Sequence, residues 1–325
     1  MENERLQARE KKLIHFLFLC FGFGIMAWIP RFPEVKANLG LENGAFGSLM
    51  STGSIGAFFG LLTVGHIIHK YGALRVTVTS ILILFSSLSL LVHIHSSLIF
   101  LILNITFGFG ITAVHVSLNS HSFHFLERSK INLVTTSAGY WSVGSLSTAI
   151  LSGLLVGRVG LSLHINVLSV VLAVTMISII YSLKDDLLTP NEDTEHDYTV
   201  KEIFTGFKID WPVSLGMAAA IYLEFALADW GTIFTKERLD VSGSLSATPF
   251  IVFTAAMIVG RLVIDRLLKS APIDVWVKRA VLFAGAGFGI SIIVATHLPA
   301  ELKWWSYGLF ILGFAIAGLG SSFVG

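Results

Sequence analysis

Cysteine and charge are both scarce in this chain, and each shortage closes off a class of chemistry. The only cysteine, Cys20, lies inside an apolar run, so the chain can form no internal disulfide and no thiolate cluster for a metal. Charged residues are 13% of the total, and 22 Lys and Arg against 21 Asp and Glu leave a net charge of +1, without the basic excess that a phosphate backbone demands. A glycine-rich loop ending in Lys-Ser or Lys-Thr is missing, which excludes a nucleotide as energy source, and no motif points to a cofactor. The nearest thing to a metal set, His115, His121 and His124, is spread over nine helical positions without an accompanying carboxylate and does not converge.

What the chain has in quantity is apolar surface. Hydrophobic residues make up 54% of it, with 25 phenylalanines, and the mean hydropathy is +0.77. These values define an integral membrane protein. Windows long enough to cross about 30 Å of hydrocarbon fall near 13–33, 45–66, 76–96, 98–122, 133–157, 161–183, 209–233, 245–268, 276–298 and 304–325. Their continuous apolar texture predicts helices and not barrel strands, because backbone groups in lipid must be paired within the segment. The first window follows a basic stretch (Arg5, Arg9, Lys11, Lys12), as a secretory signal would, but no small-residue cleavage site follows and many similar runs come after it. It is expected to stay as the first span.

Lys and Arg are distributed unevenly between the spans. With the N-terminus in the cytoplasm, 15 of them fall in inner segments and six in outer ones, leaving aside Arg261 within a span. One polar, acidic stretch, 184–208, reads as a cytoplasmic linker between an N-terminal six-helix bundle (1–183) and a C-terminal set beginning at 209. The two sets are related. "GHIIHKYGALR" (65–75) and "GRLVIDRLLK" (260–269) occupy equivalent places, with His69–Lys70 and Asp265–Arg266 196 residues apart, the same offset that separates the starts of the first and seventh spans. Six spans between equivalent points mean parallel halves, one of the ways to build an alternating-access carrier.

Gly65, Lys70, Gly72 and Arg75 resemble the loop motif of the major facilitator superfamily, Gly-x-x-x-Asp-Arg/Lys-x-Gly-x-x-Arg/Lys, with His69 in place of its aspartate. "AWIPRFPEVK" (27–36), "HVSLNSHS" (115–122), "EFALADW" (224–230) and "GRLVIDR" (260–266) are similar to bacterial inner-membrane permeases related to the fucose permease. The resemblance implies an all-α fold of two parallel six-helix halves, a proton-coupled secondary transporter of a sugar or related metabolite, and a cytoplasmic gate steadied by the loop motif. In the second half the equivalent gate pair is Arg261 with Asp265, one helical turn apart. By the repeat, the second half is expected to end near 379, whereas the chain stops at 325, so about ten spans are present and the C-terminal bundle (209–325) is expected to be incomplete.

Ionisable groups at bilayer depth mark function or a tether between helices. Glu224 and Asp229 lie in the seventh span about 140° apart, at 100° per residue, so they have separate tasks: Glu224 as substrate or proton ligand, Asp229 with Trp230 at an outer gate, or both as tethers. In the fourth span Thr112, His115, Asn119 and Ser122 share a helical face. His115 stands where the related permeases carry an aspartate, and it can exchange a proton near neutral pH. At the outer end of the first span, Trp28 is placed either against substrate or as an interfacial anchor, and Arg31 either in the outer gate or in a surface pair with Glu34. Three alternatives to uptake stay open: efflux of amphipathic compounds, a membrane-embedded enzyme using His121, His124 and Glu127, and a truncated remnant that does not transport. The enzyme is disfavoured because that trio is too loosely placed for catalysis. A small-molecule substrate, protons and lipid are the expected partners.

Overall fold

A computed structural model describes residues 2–190, 211–267 and 273–322. Ten long helices run through them: α1 Glu2–Met26, α2 Gly53–Tyr71, α3 Ala73–Leu91, α4 Ser97–Ser129, α5 Val134–Leu155, α6 Leu161–Ser182, α7 Trp211–Glu237, α8 Thr248–Leu267, α9 Ile273–His297 and α10 Lys303–Ser321. Each overlaps one of the ten apolar windows, and among the described residues there is no strand. Eight segments are long and apolar enough to cross a membrane by length and composition. The other two are α5, diluted by serine, threonine and glycine, and α7, some of whose side chains lie outside the described residues. The protein is an all-α, multi-pass membrane protein.

Two spans are broken. After Met26 the chain passes through a 3-10 turn, Ile29–Arg31, into a short helix, Phe32–Leu39; Pro30 sits in the first positions of the turn, where its missing N–H costs nothing. A second short helix, Asn43–Ser51, precedes α2 and stops at Thr52. Asn104 of α4, 2% exposed, supports this break. Its Nδ2 donates to the carbonyls of Leu49 (3.1 Å) and Met50 (2.9 Å) and to Thr52 Oγ1 (3.1 Å), adding a tie from another helix to carbonyls that already accept from the Thr52 N–H.

The chain divides into two compact units. The first comprises Met1–Met26, Glu34–Ser145 and Gly160–Phe207. It is held by close helix contacts at small residues, as expected where lipid removes the hydrophobic drive between helices. Along α2 and α4, a Cβ at Gly60 would stand 3.0 Å from Thr112 Cβ, and one at Gly108 would stand 3.0 Å from Gly53 Cα. Between α1 and α5, His15 stacks on Tyr140 at 4.5 Å and shares a 3.0 Å hydrogen bond with Thr136.

The second unit comprises Ala27–Pro33, Leu146–Val159 and Lys208–Gly325. Its core gathers Leu227, Phe253, Met257, Tyr307, Phe310, Phe314 and Ala317. Gly287 of α9 and Gly313 of α10 let their backbones meet, each so close to the other's carbonyl oxygen that a Cβ would fall within 2.7 Å. The repeat is visible in the helix bounds. Shifted by 196 positions α2 falls on 249–267, and α8 is Thr248–Leu267; later helices drift, since the start of α4 shifts to 293 while α10 begins at Lys303.

Candidate functional site

In the second unit Glu224 lies at the middle of α7 and Arg261 in the second half of α8. Glu224 is half-buried, thirteen positions before the end of α7 at Glu237, and Arg261 is half-buried, thirteen positions after the start of α8 at Thr248. At 1.5 Å per residue each stands about 20 Å from the connected ends of this helix pair. The Arg261 guanidinium acts electrostatically on the Glu224 carboxylate. The helical spacing explains why. Leu227 is three positions after Glu224 and Met257 four positions before Arg261, and both belong to the apolar core, so the charged pair continues the same seam one turn further along. Sequence spacing assigned Arg261 to Asp265; the side chain of Asp265 falls outside the described residues.

Asp229 is half-buried five positions along, and among the described residues no cation acts on it. Its neighbours on α7 are packing residues: a Cβ at Gly231 would stand 2.7 Å from the Phe314 ring, and Thr235 is fully buried with its hydroxyl donating to the Gly231 carbonyl at 2.7 Å. Trp230 is half-buried. Trp28, only 4% exposed, meets Phe32 edge-on at 4.9 Å, so it is not a lipid-facing anchor. Arg31 is fully buried and its Nη2 donates to the Val159 carbonyl at 2.8 Å, which removes the surface-pair reading. Beside it, the Ser152 hydroxyl donates to the Ala27 carbonyl at 2.6 Å, and Gly153 lies so near Ala247 that a Cβ would stand 3.0 Å from the alanine methyl.

In the first unit, His115 is exposed at mid-helix and stacks on Phe21 of α1 at 6.0 Å. Asn119 spends its Nδ2 on the His115 carbonyl at 3.0 Å, Thr112 packs on Gly60, and Ser122 is buried with its hydroxyl on the Leu118 carbonyl. The stripe of four is therefore divided, and only His115 of the four presents an exposed titratable group. One turn on, His121 is buried and shares a 3.1 Å hydrogen bond with Thr77 of α3. The Thr77 hydrogen goes to the Ala73 carbonyl at 2.7 Å, so the threonine oxygen accepts from His121 Nε2 and leaves Nδ1 without a partner. His124 and Glu127 approach no closer than 3.9 Å, and among the described residues no three His, Cys, Asp or Glu side chains could hold a metal.

The loop motif lies at the junction of α2 and α3. His69, Lys70 and Arg75 are exposed, Lys70 sits over the Tyr71 ring at 5.8 Å, and Gly65 has open space where a Cβ would be. Gly72 adopts φ +82°, a conformation that excludes an unstrained side chain. Sequence reasoning missed Asn104, His15 and Arg128. His15 and Asn104 could have been flagged as polar residues inside apolar windows; Arg128, at the end of α4, carries no such signal.

Ten long helices among the described residues, eight of them in segments apolar enough to cross a membrane, and a helix–turn–helix pattern repeated along the chain define a polytopic membrane protein. The sequence matches the family model described as Major Facilitator Superfamily over residues 14–325. The chain belongs to that family, whose members move small molecules across membranes and are not enzymes. It is 26% identical over 314 residues to an uncharacterized MFS-type transporter of Yersinia pestis, covering 94% of this chain and 75% of the relative. It is 24% identical over 309 residues to membrane protein MosC of Rhizobium meliloti, covering 94% and 71%. Among solved structures, a mutant of the nucleoside transporter NupG has a TM-score of 0.74 at 14% identity, covering 97% of this chain and 80% of the other. A D-xylose-proton symporter has a TM-score of 0.67 at 15% identity, covering 94% and 79%.

Proposed function

We propose that this transporter moves a small polar solute, a sugar or related metabolite, together with protons by alternating access, in the bacterial inner membrane with its N-terminus in the cytoplasm. The observation that carries the reading is Glu224 against Arg261 at mid-depth. The guanidinium attracts the carboxylate, and a proton on Glu224 cancels that charge and removes the attraction. Proton loading thus changes what holds α7 to α8, and this links protonation to helix movement. His115 is the second proton-exchanging group, and Asn119 with Trp28 completes the substrate path. Arg31, Asp229 and Trp230 serve the outer gate, while Gly65, His69, Lys70, Gly72, Arg75, Arg261 and Asp265 serve the inner one. Two carriers of similar fold, named for a nucleoside and for D-xylose with a proton, agree with this solute class. The excess of Lys and Arg in the segments placed inside supports the orientation.

The test is uptake of a labelled panel of sugars, nucleosides and other polar metabolites into proteoliposomes, with and without an inward pH gradient. Accumulation of one member that depends on the gradient and is lost in Glu224→Gln is expected. Accumulation that ignores the gradient, or persists unchanged in Glu224→Gln, overturns the coupling. A reporter fused at the N-terminus and active only outside the cytoplasm would overturn the orientation.

A further inference from the structure

After α6 the chain does not leave the first unit at once. Lys184–Asp186 form a 3-10 turn, Leu187 is buried, and residues 186–190 lie as a strap held at three separate places. Arg128, in the last turn of α4, donates from Nη2 to the Asp186 carbonyl at 3.0 Å and from Nη1 to the Asp186 carboxylate at 3.4 Å. The same guanidinium donates to Glu10 of α1, whose side chain is 8% exposed. The Leu188 carbonyl accepts from the Ala73 N–H at 2.9 Å, filling a donor that the start of α3 leaves open and that no side chain caps. Pro190 covers Gly72, where a Cβ would stand 2.9 Å from the proline Cδ. One short segment therefore touches the ends of α2, α3 and α4, and Arg128 ties it to α1 as well.

We propose that Arg128 is a positioning residue for the transport cycle: by clamping this strap it sets the point, beside the α2–α3 turn, from which the chain crosses to the second half. Rearrangement of these helix ends and displacement of the strap then occur together. The inference rests on the carrier reading. A planar fork suits the task, because one guanidinium reaches a carboxylate on α1, a carboxylate on the strap and the strap's main chain at once. The clamp is also able to open. Arg128 and Asp186 are 39% and 44% exposed at their side chains, where breaking a pair costs little.

The experiment uses the full chain in lipid vesicles, with Arg128→Met and Arg128→Lys compared to the unsubstituted protein. Amide exchange is followed at Ala73 and across 184–190. Labelling rates are followed at single cysteines placed at His69 and at Arg158 in a Cys20→Ser background, to report access from the two sides. Arg128→Met is expected to speed exchange at Ala73 roughly tenfold, as for loss of one charge-assisted contact to a locally opening segment. It should also change the ratio of labelling at the two sites, and where solute is transported it should change Vmax and leave KM unaltered. Arg128→Lys keeps a cation beside Glu10 but loses the fork that reaches Asp186, so it gives the same change in milder form even if Arg128→Met fails to fold. Unchanged exchange at Ala73 overturns the clamp; faster exchange with an unchanged labelling ratio reduces Arg128 to a static tether and overturns the positioning role. The labelling ratio needs no solute, so a protein that takes up nothing in the panel refutes the carrier reading while this readout still decides the clamp.

Discussion

Glu224 and Arg261 occupy equivalent depths on α7 and α8, one turn beyond the apolar seam of Leu227 and Met257, and the guanidinium acts on the carboxylate. Replacing either alone removes the attraction but keeps the other charge half-buried, whereas replacing both removes the burial cost as well. Glu224→Gln and Arg261→Gln should each lower stability by about 1–3 kcal/mol, and the double variant should recover part of that loss. Thermal denaturation of the purified variants measures the coupling. Strict additivity would mean that the two side chains do not depend on each other.

His115 is the exposed titratable group on the α4 face, stacked on Phe21. Imidazole changes charge between pH 5 and 8, so a proton-carrying role makes transport follow that titration. His115→Asn is expected to flatten the pH profile of uptake across this range while leaving the protein folded. An unchanged profile would assign the ring to packing against Phe21.

The ten spans were legible because the bilayer dictates the length of an apolar run, and every window overlaps a long helix. The breaks were less so. Pro30 hints at the turn Ile29–Arg31, but nothing in "LMSTGS" (49–54) announces the interruption at Thr52, which depends on Asn104 reaching it from another helix. Partners distant in sequence were hidden for the same reason. Spacing offered Arg261 an acid on its own helix, whereas its action on Glu224 depends on how α7 and α8 pack. Arg31, between two prolines at a helix end, was open to either an outer gate or a surface pair, and it is fully buried with its guanidinium on the Val159 carbonyl 128 positions away. Arg128 gave no sign of its two carboxylates, which lie 118 positions before it and 58 after it.

Asn104 holds three acceptors at the break before α2 with a single Nδ2 group. Asn104→Leu, close in volume, removes the donor while the Thr52 N–H still serves the Leu49 and Met50 carbonyls. A cost of about 1 kcal/mol is expected, the net contribution of a lost hydrogen bond. Faster amide exchange should be confined to residues near 49–56, with α5 and α6 unaffected. Loosening spread evenly over the first unit would show that Asn104 supports the bundle and not the break.

Asp240 and Lys303 join the connection after α7 to the start of α10. The Lys303 ammonium donates to the Asp240 carboxylate at 2.8 Å and also to its carbonyl. The hydrogen bond from Lys303, followed by its charge, holds the Asp240 carboxyl below its ordinary value of 3.8. A carboxyl lowered in the folded state stabilises most above its unfolded value, and that contribution fades as the pH falls through the folded one. The clamp should therefore be fully present from neutral pH down to about 5, and open only below about 4. Amide exchange across 238–243, corrected for its intrinsic pH dependence, should be flat between pH 7 and 5 and rise in stronger acid. Asp240→Asn should show the loosened loop already at pH 7. Opening of this loop in the unsubstituted protein between pH 7 and 5 would assign the pH response to a group other than Asp240.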